Sequence, residues 1–410
     1  MKKILALLLA LVMALALVAC GGNKTPDPKP APSGQTEEPD TQEPFKVGFI
    51  TLHDENSTYD LNFINAAKAA CEKLGVEYIL KTNVGETEAC YQTAADMADA
   101  GCKVVFADSF GHEPYMIQAA KEYPDVQFCH STGTRAHTEG LANYHNAFAS
   151  IYEGRYLAGV AAGMKLQAMI DEGKVSADAA KIGYVGAFTY AEVVSGYTSF
   201  FLGVRSIVPT ATMDVTFTGS WYDEAAEKEG ANKLIQGGCV LISQHADSFG
   251  APTACETAGV PDVSYNGSTK DVAPNTYIIS SRINWEPYYE YVINAVMKGE
   301  TMEPDWTGTI ASGSVELTEL NADVAAPGTQ EAIDAAKAEL EAGTLHVFDT
   351  SKFTVDGQPL SSYMADVNSD EAYEKDTEVV ADGYFHESEF RSAPYFDLTI
   401  DGITLLDTKF

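Results

Sequence analysis

Short apolar runs alternate with amphipathic stretches along most of the chain from Phe45 onward. The apolar runs are rich in Val, Ile and Phe and end at turn residues, which is typical of buried β-strands. The stretches between them end at Gly or Pro, which is typical of helices. The first strands are FKVGFITL, VEYILKT, KVVFADS and VQFCHST. This alternation predicts a parallel sheet with helices on both faces.

The same plan restarts near residue 180. The second set of predicted strands is AKIGYVGAF, TMDVTFTGS, CVLISQHAD and PDVSYNGS, and the helices between them are predicted over 192–208, 223–236 and 251–258. We therefore predict an α/β protein in which two doubly wound lobes surround a cleft. Ligands of open α/β sheets bind beyond the carboxyl ends of the strands, so one cleft can collect both sets of strand ends.

The order of the predicted elements divides the chain from residue 45 onward into two lobes and a C-terminal region. The N-terminal lobe is predicted over 45–142 plus about 282–305, and the C-terminal lobe over 143–281 plus about 306–320. YIISSRINWEPYYEYVINAVMKGE reads as a strand and then a helix that returns to the first lobe. Residues 321–410 are predicted to form the helix PGTQEAIDAAKAELEAG and a small β appendage, to which the sequence assigns no function.

The N-terminus has the pattern of a signal peptide, predicted over 1–19. A basic start and a short apolar run lead to LVAC, which resembles the lipobox of bacterial lipoproteins. That resemblance implies cleavage before Cys20 and acylation of its thiol; the alternative is an ordinary signal peptide with a chance cysteine. Residues 20–44 are rich in Pro, Thr and Glu without hydrophobic period and predict a disordered tether. We expect a lipid-anchored protein on the extracytoplasmic face of the cell membrane.

Charge and cysteine content exclude several functions. The formal net charge of -33 argues against nucleic-acid binding, because phosphates would be repelled. Six cysteines follow Cys20 without a C-x-x-C pair, so we expect mostly free thiols and no zinc ribbon. His53–Asp54 and His112–Glu113 are adjacent pairs, which is poor spacing for metal ligands on one helix face. We expect no metal site and no cofactor.

The predicted strand ends supply aromatic rings and hydrogen-bond acceptors but little positive charge. Such a cleft suits a flat, neutral ligand with N–H and O–H donors, and stacking on an aromatic ring contributes about 1–3 kcal/mol per base. Alternatives stay open, because a strand-end aromatic can cover a core, His245 can be structural, and HDENSTYD fits a helix start capped by Ser57 or Thr58. The candidate ligand-binding residues are Asn56, Tyr59, Asp60, Asp108, Ser109, Phe110, Phe188, Trp221, His245, Asp247, Asn266 and Asn284.

From about residue 46 to 360 the chain resembles the basic membrane protein family of substrate-binding lipoproteins, which serve ABC transporters. The resemblance is carried by SFGHEPYMIQAAKEYPDVQFCHSTG, YEGRYLAGVAAGMK, KIGYVGAF, SWYDEAAE, QHADS and NWEPYY. It implies a type I periplasmic-binding-protein fold with crossover hinges. It also implies ligands that are mostly purine nucleosides or bases, held between aromatic side chains of the two lobes.

Carried over by position, the resemblance places Tyr59 at the first-lobe aromatic plate and Trp221 at the second. His245 and Asp247 lie in a stretch that has the sequence Gln-His-Thr-Asp-Ser in one subgroup of the family. Asn56 stands where an Asp is usual, and Asp60 where many members have Asn. Asn284 stands where nucleoside-binding members carry a Lys that holds the ribose, and YNGSTKD lacks the usual Asp-rich pattern. A free base, or another flat heterocycle such as a flavin, therefore stays open.

The predicted function is capture of a purine nucleoside or base by hinge closure, with delivery to the permease and ATPase subunits of an ABC importer. The alternative is a receptor or binding lipoprotein for another flat heterocycle without direct transport. We expect no enzyme activity, because the sequence contains no nucleophile elbow, H-E-x-x-H, P-loop or G-x-G-x-x-G motif.

Overall fold

The computed structural model describes residues 44–367 and 375–408. The predicted signal peptide, the predicted acylation site Cys20 and the predicted tether up to residue 43 lie outside the described residues. Within the described ranges, no helix combines the length and the apolar character needed to cross a bilayer.

Helices and strands alternate between residues 46 and 265, as the hydrophobic pattern predicts. The helices of four or more residues are α1 Thr58–Leu74, α2 Glu88–Asp99, α3 Glu113–Glu122, α4 Ala136–Glu139, α5 Ile151–Asp171, α6 Ala191–Ile207, α7 Glu224–Gln236, α8 Gly250–Ala258, α9 Glu286–Lys298 and α10 Thr329–Glu341. The main strands are β1 Lys46–Ile50, β2 Glu77–Lys81, β3 Val104–Ala107, β4 Gln127–His130, β5 Tyr144–Ala149, β6 Lys181–Gly186, β7 Thr212–Phe217, β8 Ile242–His245, β9 Asp262–Tyr265, β10 Tyr277–Ile283, β11 Asp305–Gly308 and β12 Val315–Leu317. The tail strands are β13 Thr354–Val355, β14 Gln358–Pro359, β15 Met364–Ala365, β16 Thr377–Glu378, β17 Val380–Ala381, β18 Tyr384–Phe385 and β19 Ile403–Leu405.

Two sheets form two lobes with the same internal order. The first sheet is parallel throughout and runs β11-β5-β4-β3-β1-β2, and the second runs β12-β10-β9-β8-β6-β7-β19. In the second sheet only β12 is antiparallel to its neighbour. Without their edge strands, both sheets have the doubly wound order 2-1-3-4-5. In this order the chain adds strands first on one side of the first strand and then on the other, while these strands stay parallel. The prediction of two doubly wound lobes is confirmed.

The lobe boundaries differ from those predicted from the sequence. Tyr144–Ala149 (β5) pairs in the first sheet, so the first lobe extends past residue 142. His145 and Asn146 interrupt the apolar pattern of this strand, although both side chains are buried. Asp305–Gly308 (β11) also pairs in the first sheet, beyond the predicted limit near residue 305.

The chain crosses between the lobes after β5, after β10 and after β11. Backbone hydrogen bonds hold these crossovers side by side, from the Ser150 N–H to the Gly308 carbonyl at 2.7 Å and from the Asn284 N–H to the Ser314 carbonyl at 2.8 Å. Three short, adjacent crossovers form the hinge that this arrangement of lobes allows.

The helix after the first crossover, α5, packs closely on α6 of the second lobe. A Cβ atom on Gly159 would lie 2.1 Å from the Phe200 carbonyl oxygen, and one on Gly203 would lie 2.2 Å from that of Tyr156. Only glycine permits this approach. The contact fixes α5, which carries the buried Arg155, against the second sheet.

The C-terminal tail, predicted from the sequence as a helix and a small β appendage, packs mainly on the second lobe. Ile403–Leu405 (β19) extends the second sheet beside β7. The Asp407 carboxylate accepts hydrogen bonds from the Thr216 hydroxyl at 2.6 Å and the Phe217 N–H at 3.1 Å. Phe348 and Phe396 are buried in the core of that lobe. A strand of three residues has too little pattern to reveal its partner.

The described cysteines Cys71, Cys90, Cys102, Cys129, Cys239 and Cys255 are all buried free thiols. The prediction of mostly free thiols is confirmed. These cysteines behave as small apolar core residues.

Candidate functional site

A cavity lies between the lobes at the carboxyl ends of the parallel strands. The free space within it, including space open to solvent, is about 360 Å³, but the volume open to the centre of a water-sized sphere is only about 20 Å³. The closed lobes thus leave room for about one water molecule, so a larger ligand requires the lobes to part. Its first-lobe wall consists of Leu52, His53, Tyr59, Asp60, Ser109, Phe110 and Thr132. Its second-lobe wall consists of Glu192, Trp221, His245, Asp247 and Tyr265.

The polar groups of the first-lobe wall are bound to the protein itself. The Tyr59 hydroxyl donates to the Asp108 carbonyl at 2.9 Å. The Asp60 carboxylate accepts from the His53 N–H at 2.7 Å and from the Ser57 hydroxyl at 2.5 Å. Ser57 is the N-cap of α1, as the sequence predicts, and accepts from the Asp60 N–H. The start of one helix therefore fixes both Tyr59 and Asp60.

The second-lobe wall contains polar atoms without such partners. Among the described residues, both ring nitrogens of His245 and the hydroxyl of Tyr265 are buried and form no hydrogen bond. The two rings lie against each other at a centroid distance of 4.2 Å. His245 Nε2 is 3.5 Å from Glu192 Oε1, outside hydrogen-bond geometry. Buried polar atoms are nearly always paired. Unpaired buried atoms also occur away from the cavity, for example in Asp262 and Tyr288, so it is the position of His245 and Tyr265 in the cavity wall that indicates a place for ligand donors and acceptors.

Trp221 occupies the turn between β7 and α7. Its carbonyl accepts from the Asp247 N–H at 2.9 Å, and its ring meets Phe188 edge-on at 5.0 Å. Asp223 caps α7, and the buried Glu227 carboxylate accepts from the Asp223 N–H at 3.2 Å. These contacts hold the half-buried indole at the cavity instead of in the core.

The cavity is acidic. Neither Lys nor Arg is among the residues that line it. Burial, and then the charge of Asp60, raises the pKa of Asp247 well above its usual value, which gives this carboxyl the character of a hydrogen-bond donor. Burial would also raise the pKa of Asp60, but hydrogen bonds from His53 and Ser57 bring it below the usual value. Burial lowers the pKa of His245, so its ring stays neutral and offers one donor and one acceptor.

A buried positive charge lies directly behind the second-lobe wall. The Arg155 guanidinium is 5.3 Å from the centre of the Tyr265 ring. It donates to the Ser243 hydroxyl at 2.7 Å and to the Tyr184 hydroxyl at 3.0 Å. Arg155 supports the wall from behind and does not line the cavity.

The structure brings part of the predicted set together. Two predicted residues lie away from the cavity: Asn56 is exposed and donates to Asp54 at 2.8 Å, and the Asn284 amide donates to the Gly313 carbonyl at 3.2 Å in the hinge. Direct ligand contact predicted for these two side chains does not fit their positions. The predicted residues that line the cavity are Tyr59, Asp60, Ser109, Phe110, Trp221, His245 and Asp247.

Three further predicted residues lie one layer behind the cavity. Asp108 is buried and accepts from the Leu52 N–H at 3.1 Å. Phe188 backs the indole of Trp221. Asn266 is buried beside Tyr265, and its carbonyl accepts from Asn62 at 2.8 Å. None of the three is among the residues that line the cavity, and their contact with a ligand stays a prediction.

The lining residues that the sequence reasoning missed are Leu52, His53, Thr132, Glu192 and Tyr265. Each lies at or just after a strand that was predicted, so position along the chain could have identified them. Leu52 is apolar and Tyr265 is the last residue of β9. Residues of these kinds are usually interpreted as part of the core.

The two lobes touch directly around the cavity. The Thr58 N–H donates to the Asp247 carbonyl at 3.1 Å, and the Asn62 amide reaches the Asn266 carbonyl. The rings of His53 and Tyr222 are 5.6 Å apart. The start of α1 thus rests on the loops of the second lobe, and the lobes are closed.

Comparisons with known proteins agree with this architecture. A family model described as "ABC transporter substrate-binding protein PnrA-like" matches residues 51–342. A purine-binding protein of Brucella abortus (strain 2308) is 33% identical over 63% of this chain and 70% of its own length. A putative ABC transporter glucose-binding protein of Haloferax volcanii is 31% identical over 67% of each chain.

Solved structures show the same fold. A solute-binding protein of an ABC transporter system from Conexibacter woesei superposes with a TM-score of 0.61 at 20% identity, covering 74% of this chain and 98% of that one. One from Aeropyrum pernix K1 gives 0.62 at 16% identity, covering 74% and 93%. The predicted type I periplasmic-binding-protein fold is confirmed.

Proposed function

Because the chain belongs to the PnrA-like family of ABC transporter substrate-binding proteins, we propose that it captures a purine base or nucleoside between its lobes. Proteins of this family work outside the cytoplasm with permease and ATPase components and bind small molecules. The proposal concerns the ligand, the way in which it is held and the lipid anchor.

The observation that carries the proposal is the pairing of aromatic rings with unpartnered polar atoms at one cavity. The aromatic side chains of Tyr59 and Trp221 line the cavity from the two lobes. Tyr265 and His245 offer a hydroxyl and two ring nitrogens without partners in the described protein. A purine has two wide faces and an edge with both donors and acceptors. Stacking would contribute about 1–3 kcal/mol per ring, and paired edge contacts about 0.5–1.5 kcal/mol each.

The charge of the cavity supports a neutral or cationic ligand. Asp60 and Glu192 face a space that no Lys or Arg lines, so a phosphate or carboxylate would be repelled. A nucleotide would therefore bind more weakly than the corresponding nucleoside.

Capture proceeds by closure of the hinge. A ligand binds first to one lobe in an open form, and the second lobe then closes over it, which forms the contacts of Thr58 and Asn62 with the opposite loops. A ligand that satisfies His245 and Tyr265 stabilises the closed form by its differential affinity.

The decisive experiment identifies the ligand directly. The protein without residues 1–20 is purified and denatured, and released compounds are identified by mass and ultraviolet spectrum. Thermal-shift measurements with adenine, guanosine, riboflavin and glucose complement the extraction. A purine, or stabilisation by adenine or guanosine alone, supports the proposal; riboflavin favours the alternative heterocycle. A sugar, peptide or amino acid as the bound compound refutes it.

Lipid anchoring through Cys20 is part of the proposal. Cys20→Ser removes the thiol that would be acylated, so the protein should move from the membrane fraction to the soluble fraction. Retention in the membrane fraction would contradict the anchor and leave the ligand proposal unaffected.

A further inference from the structure

A groove adjoins the cavity, and Phe110, Thr132 and Glu192 line both. We call it the outer groove. It holds about 1170 Å³ of empty space, including a side open to solvent. Because the same three residues border both spaces, a substituent on a ring bound in the cavity would pass beside them to reach the outer groove.

Two aromatic side chains flank the outer groove, one from each lobe. Phe110 is 39% exposed and Tyr190 is 40% exposed, and their ring centres are 5.3 Å apart. Tyr190 also stacks on Phe188 at 4.9 Å. Large exposed aromatic residues grouped at the mouth of a cleft are typical of a binding surface.

The remaining wall comes from residues 387–396 of the C-terminal tail, which we call the arm. Arg391, Ala393 and Pro394 line the outer groove. The arm is firmly held, because the buried Glu387 carboxylate accepts from the Phe396 N–H at 3.0 Å and the Ser392 N–H donates to Asp305 of the first lobe at 3.1 Å. The arm lies beyond residue 342, where the family match ends, so this wall is an addition to the matched region.

Of the four charged residues that line the outer groove, Arg391, Arg135 and Glu113 are engaged within the protein, and Glu192 is shared with the cavity. The Arg391 guanidinium donates to the Pro394 carbonyl at 3.0 Å. Arg135 forms an ion pair with Glu139, and Glu113 accepts from the Thr134 N–H at 2.8 Å. The accessible surface combines aromatic, alanine and proline side chains with the partly exposed Arg135 and the Glu192 carboxylate, and its apolar part suits an uncharged, apolar group.

We infer that the outer groove is a second subsite, which accepts a neutral apolar substituent on the flat ring held in the cavity. The inference rests on the proposed function and makes the arm a determinant of ligand specificity. The protein would then prefer substituted heterocycles to the bare ring.

The test compares adenine with N6-benzyladenine and 9-benzyladenine, by titration calorimetry on the protein without residues 1–20. At least one benzyl compound should bind as tightly as adenine or more tightly. Ala191→Trp fills the outer groove from the start of α6, where Ala191 lines only this space. It should weaken that benzyl compound about tenfold or more, equivalent to 1.4 kcal/mol or more, and change adenine binding by less than about twofold.

Two further variants test whether the effect of Ala191→Trp is specific to the outer groove. Ala338→Trp on the exposed face of α10 is the matched control and should change neither affinity. Tyr190→Ala removes an apolar face instead of adding bulk, and should weaken the benzyl compound more than adenine. It decides the question if Ala191→Trp fails to fold, as judged from its circular dichroism and melting temperature.

The possible outcomes separate the two proposals. Adenine binding with exclusion of both benzyl compounds overturns the subsite and leaves the proposed function standing. Binding of neither class overturns the subsite, and it overturns the proposed function as well if guanosine also fails to bind. Equal weakening of adenine and benzyl compounds in the groove variants overturns the subsite. Groove variants that bind all the compounds normally but no longer support transport also overturn it, because the outer groove would then contact the permease.

Discussion

The two walls of the cavity differ in how their polar groups are satisfied. In the first-lobe wall, Tyr59 and Asp60 are bound to neighbouring backbone and side-chain groups. In the second-lobe wall, His245 and Tyr265 have buried polar atoms without partners among the described residues. Leaving such an atom unpaired costs about 1–3 kcal/mol. The polar groups of Tyr59 and Asp60 in the first wall need no further hydrogen-bond partners, whereas a ligand can pair the unpartnered atoms of the second wall.

The difference follows from how each wall is built. The first wall begins a helix, whose N-cap and first turn satisfy their own side chains. The second wall lies at the ends of buried strands, where His245 is enclosed by α6. A Cβ atom on Gly196 would lie 2.6 Å from His245 Nδ1, so glycine is required there for the imidazole to fit.

The largest expected effect comes from removing the support behind the second-lobe wall. Arg155→Leu leaves several buried acceptors unpaired and removes contacts with three aromatic rings. We expect the free energy of unfolding to fall by about 3 kcal/mol or more, measured by chemical denaturation. Arg282→Leu, which removes a partly exposed ion pair, should cost less than about 1 kcal/mol. Equal costs would refute the supporting role of Arg155.

A pH-dependent effect tests the turn that holds Trp221. Burial raises the pKa of Glu227 from 4.5 to about 7. Because the folded state binds this proton more tightly than the unfolded state, protonation of Glu227 stabilises the fold. This stabilisation is complete below pH 4.5 and is lost as the pH rises through about 7. One pKa unit equals about 1.36 kcal/mol, so the wild type should lose up to about 3 kcal/mol relative to Glu227→Gln between about pH 5 and pH 8.

The measurement is chemical denaturation of both proteins across that pH range. Glu224→Gln, an exposed position on the same helix, is the control and should follow the wild-type profile. Parallel profiles for the wild type and Glu227→Gln would show that Glu227 does not hold a proton in the fold.

Truncation of the second-lobe ring is expected to act on binding rather than on folding. Trp221→Ala should weaken the tightest purine ligand by about 1–3 kcal/mol if the indole stacks on it, measured by calorimetry. Melting should change little, because the indole is half-buried. Tyr78→Ala on an exposed edge of the first lobe should leave the affinity unchanged. Unfolding of Trp221→Ala would instead assign the indole to the core.

Much of the fold could be predicted from the sequence, because strand and helix periodicities are strong in both lobes. The predicted helix over 192–208 is observed as Ala191–Ile207. The strand Tyr144–Ala149 was missed because buried His145 and Asn146 look exposed in a hydrophobicity pattern. The partner of Ile403–Leu405 depends on contacts far apart in the chain, which periodicity does not report.

The candidate site was predictable to the level of strand ends and no further. Tyr59, Trp221 and His245 follow predicted strands, and the structure places them at one cavity. Sequence position does not tell whether a side chain points into the cavity or behind it, as Asp108 and Asn284 demonstrate. Nor does it reveal which polar atoms remain unpartnered, because that depends on packing from other elements.

A matched pair of tyrosine variants tests the central claim most directly. Each loses one hydroxyl: Tyr59→Phe removes a satisfied group and Tyr265→Phe an unpartnered one. Stability is measured by denaturation, and affinity by calorimetry with the tightest purine ligand. We expect Tyr59→Phe to cost about 1 kcal/mol of stability with unchanged affinity, and Tyr265→Phe to cost about 1 kcal/mol of affinity with unchanged or higher stability. The reverse result, with binding lost at Tyr59 and stability lost at Tyr265, would contradict the division between the two walls.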